Sequence, residues 1–177
     1  MRGNFDPCLV ELLKHEGGFV NHPRDPGGMT NLGVTKATYE AWVGHPVGES
    51  VMRKLTISHV RALYLVRYWG AVKGDDLPKG LDLCVFDFAV NAGPKRAAKY
   101  LQLMVGAKRD GVIGPNTIKQ IQQYTLTHGV PQAVDRYQSM REGYYRKLPT
   151  FGTFGRGWLR RVSEVTSCAR RMAKGTK

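Results

Sequence analysis

The sequence predicts a mainly α-helical protein with one small β-hairpin near its N-terminus. Three observations carry this expectation. From Lys36 onward apolar residues recur at helical spacing almost without interruption, with Pro94, Pro115 and Pro131 placed to open helices. Residues Phe19 to Thr35 are different: two prolines, three glycines and small polar residues separate the short extended runs GFVN and LGVT. Finally, Leu81 to Gly93 is apolar nearly all round, as a buried central helix must be.

Taken in order, Asp6 is placed to cap a first helix with Pro7 at its first position. Leu9, Val10, Leu12 and Leu13 form its apolar face, and Gly17-Gly18 is expected to end it through a left-handed cap. That puts Glu16 in the last turn, the end of a helix dipole that disfavours a carboxylate. The segment HPRDPGG then turns a hairpin or a two- to three-stranded sheet. Thr35 or Lys36 opens a short helix through Trp42, and Thr56 caps one running to Trp69. After the central helix, further helices are expected from Pro94 to about Val105, Pro115 to Tyr124, Pro131 to about Lys147, and Phe154 or Gly155 to Met172. No linker rich in Pro, Gly or Ser divides the chain. The KGDDLPKG stretch at 73–80 is the best lobe boundary, giving lobes 1–75 and 76–177 packed as one compact unit.

With 177 residues, 42% hydrophobic and 23% charged, the composition is that of a soluble globular protein with one core. No run approaches the roughly 18 apolar residues of a membrane helix. The opening MRGNFDPCLVELLKHEGG lacks the long apolar stretch and cleavage site of a signal peptide, so synthesis and retention in a cytoplasm are expected. Cys8, Cys84 and Cys168 are odd in number and form no CxxC pair, which argues for free thiols. The five histidines show no ligand spacing, and neither metal nor other cofactor is expected. A net charge of +13, from 27 basic and 14 acidic residues, points to a polyanionic partner. Nucleic acid and the anionic polymers of a bacterial envelope fit that charge equally well. No helix-turn-helix or zinc-finger pattern supports the first, so no nucleic-acid partner is expected.

The chemistry concentrates around the hairpin. Glycoside cleavage needs an acid to protonate the leaving oxygen and usually a second carboxylate. Glu16 ends an amphipathic helix, and Gly17-Gly18 removes bulk where a sugar chain would pass. Asp25 lies nine residues on, in a loop able to fold back toward Glu16, and Thr30 is placed to orient a water. Taken singly, a helix-end Glu is usually a solvated group, and Asp-Pro-Gly-Gly is usually a turn.

The wider pattern is more specific. Glu16-Gly17-Gly18-Phe19, Asn21, Asp25-Pro26-Gly27-Gly28, Thr30-Asn31 and Gly33-Val34-Thr35 resemble the N-terminal signature of glycoside hydrolase family 108, the phage and prophage N-acetylmuramidases. Val85 to Gln102, and Asp110-Gly111-Val112-Ile113-Gly114-Pro115-Asn116-Thr117, are similar to the peptidoglycan-binding segment that accompanies that family. The resemblance extends from about residue 8 to about 160. It implies a lysozyme-like, two-lobed helical fold, with Glu16 as the essential catalytic residue. It also implies hydrolysis of the β-1,4 bond between N-acetylmuramic acid and N-acetylglucosamine by an endolysin that lyses its host. In related phage lysozymes a Glu, Asp, Thr triad is spaced by eight and then five residues. Here the second gap, Asp25 to Thr30, holds four and the five-gap position is Asn31. Asp25 is therefore either catalytic or a hairpin residue, and Asn31 joins Thr30 as a candidate.

Other candidates lie further along. Asp87 and Asn91 share a face of the central helix and either line the cleft or tie helices together. Tyr39 and Trp42 offer aromatic faces for a sugar, although core packing is the commoner use of that spacing. The C-terminal segment from Gly155 is basic, with a rough apolar stripe of Trp158, Val162, Val165 and Met172. It is a candidate for contact with an anionic membrane, against the alternative of a packed helix with a solvated basic face. The expected protein is a monomer acting on peptidoglycan, held in the host cytoplasm and released to the wall through a holin-type pore. A non-catalytic wall-binding or wall-remodelling factor, a basic nucleic-acid-binding protein and a lytic transglycosylase are the rival readings.

Overall fold

The computed structural model describes residues 3–21 and 28–175. The fold is mainly helical with a small N-terminal hairpin, in keeping with a lysozyme-like two-lobed architecture. Helix α1, Phe5–Leu13, buries Phe5, Cys8, Leu9, Leu12 and Leu13. It begins and ends differently from the sequence expectation. Asn4, not Asp6, holds the N-cap position, and its amide donates to buried Asp82 at 2.6 Å instead of capping. Asp6 points outward and accepts two hydrogen bonds from Arg61, at 2.6 and 2.9 Å. The helix closes at Leu13 through amides of Lys14, His15 and Glu16 that each bond three residues back. Gly17 and Gly18 do not adopt the left-handed conformation, so no glycine cap forms. Glu16 therefore sits in a tight turn just past the helix.

The hairpin pairs β1, Thr30–Asn31, with β2, Val34–Thr35, antiparallel in the register Thr30↔Thr35 and Asn31↔Val34. Val20 adds a single bridge to Thr30. Leu32 and Gly33 make the turn with φ of 49° and 71°, the pair of positive angles that a two-residue hairpin turn requires. Helix α2, Lys36–Val43, starts from Thr35, whose hydroxyl accepts the Thr38 amide. A short α3, Glu49–Arg53, had no clear sequence signal. Helix α4, Ile57–Tyr64, starts after Thr56 and passes into a π-helical turn, Leu65–Trp69, so the expected single helix changes pitch at its end. That turn delivers Trp69 to the core, where the missing side chain of Gly74 makes room for the indole.

The second half is a helical bundle around α5, Leu81–Ala92, whose residues from Leu81 to Ala89 are all buried. Helix α6, Pro94–Val105, α7, Pro115–His128, and α8, Val130–Tyr145, each carry proline in the first turn. The last helix, α9, Phe151–Lys174, is longer than expected and turns Gly155, Val162, Val165, Cys168 and Ala169 inward, leaving Arg156, Arg160, Arg171 and Lys174 to solvent. Of its apolar stripe, Val162 and Val165 face the protein interior, while Trp158 and Met172 are half-buried. The three cysteines are buried and unbridged. One continuous apolar core runs from Phe5 to Ala169 and joins α1 and the hairpin to the bundle.

Candidate active site

Glu16 is brought to a junction of three elements. The α1 terminal turn supplies it, the hairpin turn lies over it, and α9 reaches it from the far end of the chain. Its side chain is only 17% exposed. Position 33 is glycine for two reasons at once. Its φ is positive, and a Cβ there would lie 2.7 Å from Glu16 Oε2 and 2.7 Å from the Tyr64 hydroxyl. Tyr64 in turn donates to the carbonyl of Leu32 at 2.9 Å, bracing the turn. Burial, with the Glu16 charge beside it, pushes the Tyr64 phenol far above its ordinary range, so it stays a neutral donor.

The other Glu16 oxygen, Oε1, accepts from Arg161 Nη2 at 2.8 Å. Arg161 is held by Asp87 through Nη2 at 2.7 Å and Nε at 3.0 Å. Asp87 is fully buried and pairs also with fully buried Arg141, which donates to the Tyr145 hydroxyl at 3.1 Å. Burial alone would raise the Asp87 pKa; the Arg141 and Arg161 guanidiniums outweigh it and hold the carboxyl below its ordinary range. Burial likewise works against the Arg161 cation, but Asp87 and then Glu16 overcome it and hold the guanidinium protonated. Carboxylates and guanidiniums thus alternate from the protein interior out to Glu16.

Of the other residues singled out from sequence, several have structural roles. Asn31 is 5% exposed and its amide donates to the carbonyls of Met52 and Arg53, bolting the hairpin to α3. Tyr39 is a core residue and presents no open ring to a sugar. Asp87 acts through the arginines, since no part of it reaches solvent. Thr30 is half-buried and exchanges two backbone hydrogen bonds with Val20. Asp25 lies outside the described residues. Asn91 is exposed, with its amide donating to the Asp87 carbonyl at 2.9 Å. It lines an open groove of about 490 Å³ together with His15, Gly157, Trp158, Arg160 and Arg161. Arg161 connects this groove to Glu16, and Trp158 packs at 5.2 Å on Tyr145 beneath it.

Arg161, Arg141 and Tyr64 were not apparent from the sequence as site residues. A signal existed for one of them: Arg141 falls in the buried stripe Ala133, Val134, Tyr137, Gln138, Tyr145 of α8. A buried cation demands an anion, and Asp87 on an otherwise apolar helix is a matching one.

A second hollow, of about 550 Å³, lies at the loop before α7. There Asp110 accepts from the Val112 amide and the Gln102 side chain, while Gln102 accepts from the Gly111 amide. The Asp-Gly turn is thereby fixed to α6.

A carboxyl group braced on one oxygen by an arginine that lines a groove is equipped for proton transfer to a bound sugar. The comparisons with known proteins agree with that chemistry. A model of the glycosyl hydrolase 108 family matches residues 9–93. The solved structure of SagA from Brucella abortus is 39% identical, covers 99% of both chains and superposes with a TM-score of 0.86. No curated protein matches the chain. The chain belongs to the glycosyl hydrolase 108 family and is a glycoside hydrolase that degrades peptidoglycan.

Proposed function

We propose that the enzyme hydrolyses the β-1,4 bond between N-acetylmuramic acid and N-acetylglucosamine, with Glu16 as the general acid. The observation that carries this is the seat of Glu16: a mostly enclosed carboxyl beside a groove, with Oε1 fixed by Arg161 and Oε2 against the glycine of the hairpin turn. Glu16 protonates the bridging oxygen as the bond breaks, and water captures the oxocarbenium-like centre. Thr30, in β1 of the hairpin, is the candidate for orienting that water, and Asp25 is the candidate second carboxylate. Asn91 and Trp158 line the groove in which the glycan lies. The +13 charge draws the enzyme to an anionic wall and speeds encounter. The basic face of α9 is the part of the surface offered to anionic polymers or membrane.

Digestion of purified peptidoglycan tests this reading. Wild type should release fragments ending in reducing N-acetylmuramic acid, and Glu16→Gln should lose at least about 100-fold of that activity while still binding sacculi. Anhydro-sugar ends in the mass spectrum would instead assign a lytic transglycosylase.

The biological role has two readings. Resemblance to phage muramidases favours an endolysin that waits in the host cytoplasm for a holin-type pore. The full-length likeness to a protein of the bacterium Brucella abortus favours a cell's own wall-remodelling hydrolase. Expression inside a bacterium separates them: an endolysin lyses the culture only when a pore is co-expressed, whereas a remodelling enzyme reaches the wall without one.

A further inference from the structure

We propose that Arg161, anchored by Asp87, is the positioning residue for Glu16, fixing which oxygen carries the proton and receiving the negative charge left when that proton departs. The inference rests on the reading of Glu16 as the acid. Arg161 Nη2 is bound at once to Glu16 Oε1 at 2.8 Å and to Asp87 Oδ1 at 2.7 Å, and Nε adds a further bond to Asp87. Asp87 itself is clamped from behind by Arg141. Arg161 therefore cannot follow the substrate or swing into solvent. With Oε1 taken by a donor that never gives up its hydrogen, Oε2 is the oxygen left to hold a proton. Oε2 is also the atom that lies against Gly33, and the Tyr64 hydroxyl on the same glycine is already spent on the Leu32 carbonyl.

From the protonated form of Glu16 that the reaction requires, the charges favour release of the proton. While Glu16 is protonated, Asp87 alone faces two guanidiniums, and one positive charge is left over beside the acid. As the proton passes from Oε2 to the glycosidic oxygen, the electron pair of the breaking sugar–oxygen bond goes to that oxygen. Glu16 becomes an anion, and two carboxylates then balance two guanidiniums. The Arg161 hydrogen bond thus strengthens as the reaction proceeds, which raises kcat without tightening substrate binding. Since Arg161 comes from α9, 145 residues from Glu16, the C-terminal helix is part of the catalytic unit.

Kinetics on soluble glycan fragments, counted as reducing ends, test the proposal. Arg161→Ala should lower kcat about 100-fold with KM changed less than about threefold. Arg161→Lys should retain more activity than Arg161→Ala. Guanidinium at non-denaturing concentration should raise the Arg161→Ala rate about tenfold and leave wild type unchanged, a response that a purely architectural arginine would not give. Circular dichroism and thermal unfolding establish that each variant is folded. A folded Arg161→Ala enzyme with near-wild-type kcat overturns the proposal. So does a loss that neither lysine nor guanidinium repairs, which would make Arg161 a fold residue only. A wild type that releases no reducing ends brings down the Glu16 reading and this inference together, whereas an active, Glu16-dependent wild type with an indifferent Arg161 brings down the inference alone.

Discussion

A methyl group at position 33 would meet the Glu16 carboxyl and the Tyr64 hydroxyl at the same short distance. It would stand 2.7 Å from Glu16 Oε2 on a backbone with φ of 71°. Two effects follow, and they differ in size. The left-handed conformation costs a β-carbon about 1–2 kcal/mol, which is felt in stability. Displacement of the carboxyl by a fraction of an ångström is felt in the rate, where misplacement on the order of 1 Å can cost 100-fold. Gly33→Ala is therefore expected to lower Tm modestly but to reduce peptidoglycan cleavage at least about tenfold. Thermal unfolding and a reducing-end assay on the same preparation check both parts. Equal, small losses in both would mean that the turn tolerates the methyl without moving Glu16. The same residue shows how a short motif carries more than one constraint: the hairpin turn requires the positive φ, and the acid requires the empty space.

At the scale of elements, the hairpin depends on its attachment to α3. Two residues per strand cannot hold an isolated hairpin in water. Asn31 supplies the attachment through its amide to the Met52 carbonyl at 2.8 Å. Asn31→Ala removes that bond and leaves the Met52 carbonyl to the backbone amides after α3, so it should destabilise the protein by about 0.5–1.5 kcal/mol. Hydrogen exchange at the Val34 amide should rise more than at the amides of α5; uniform acceleration throughout the chain would show that the hairpin has no separate opening. Much of this architecture was legible beforehand, because its signals are local. The proline starts of α6 and α7 and the uniformly apolar α5 each specify their own segment. The hairpin expected to turn at HPRDPGG turns instead at Leu32-Gly33, within the run LGVT read as extended, while residues 22–27 lie outside the described ones. Helix α3 escaped because five residues carry too short a pattern. The end of α1 was misplaced because glycine permits a left-handed cap without compelling one, and backbone bonds three residues back had already closed the helix. Glu16 was singled out by a contiguous motif, and the structure seats it against the hairpin turn. Arg161 was not, since its partners are 74 and 145 residues away and nothing in the spacing of a basic C-terminal helix distinguishes it from Arg160.

For the molecule as a whole, two buried carboxylates set opposite limits on stability against pH. Asp82 accepts from Asn4 and from the amides of Gly80 and Leu83, yet burial prevails and pushes its carboxyl up to about 6. Its folded form thus binds a proton more tightly than the unfolded chain does. The resulting stability is fully present below the ordinary value near 3.8 and is lost as pH rises through 6. The difference is worth roughly 3 kcal/mol. Asp87 works the other way. Held below the ordinary range by Arg141 and Arg161, it stabilises the fold above about pH 4 and loses that contribution as pH falls through its folded value. Together these two groups place their combined maximum near pH 4, from which the Asp82 contribution falls away as pH rises to about 6. With a net charge of +13 at neutral pH, every further protonation adds self-repulsion, which steepens the fall on the acid side. Asp82→Asn removes the titrating group but keeps its shape. Relative to wild type, it should be destabilised more at pH 5 than at pH 7.5, so its Tm should vary less across that interval. Parallel Tm curves for the two proteins would show that Asp82 does not titrate there and would return its carboxyl to the ordinary acidic range.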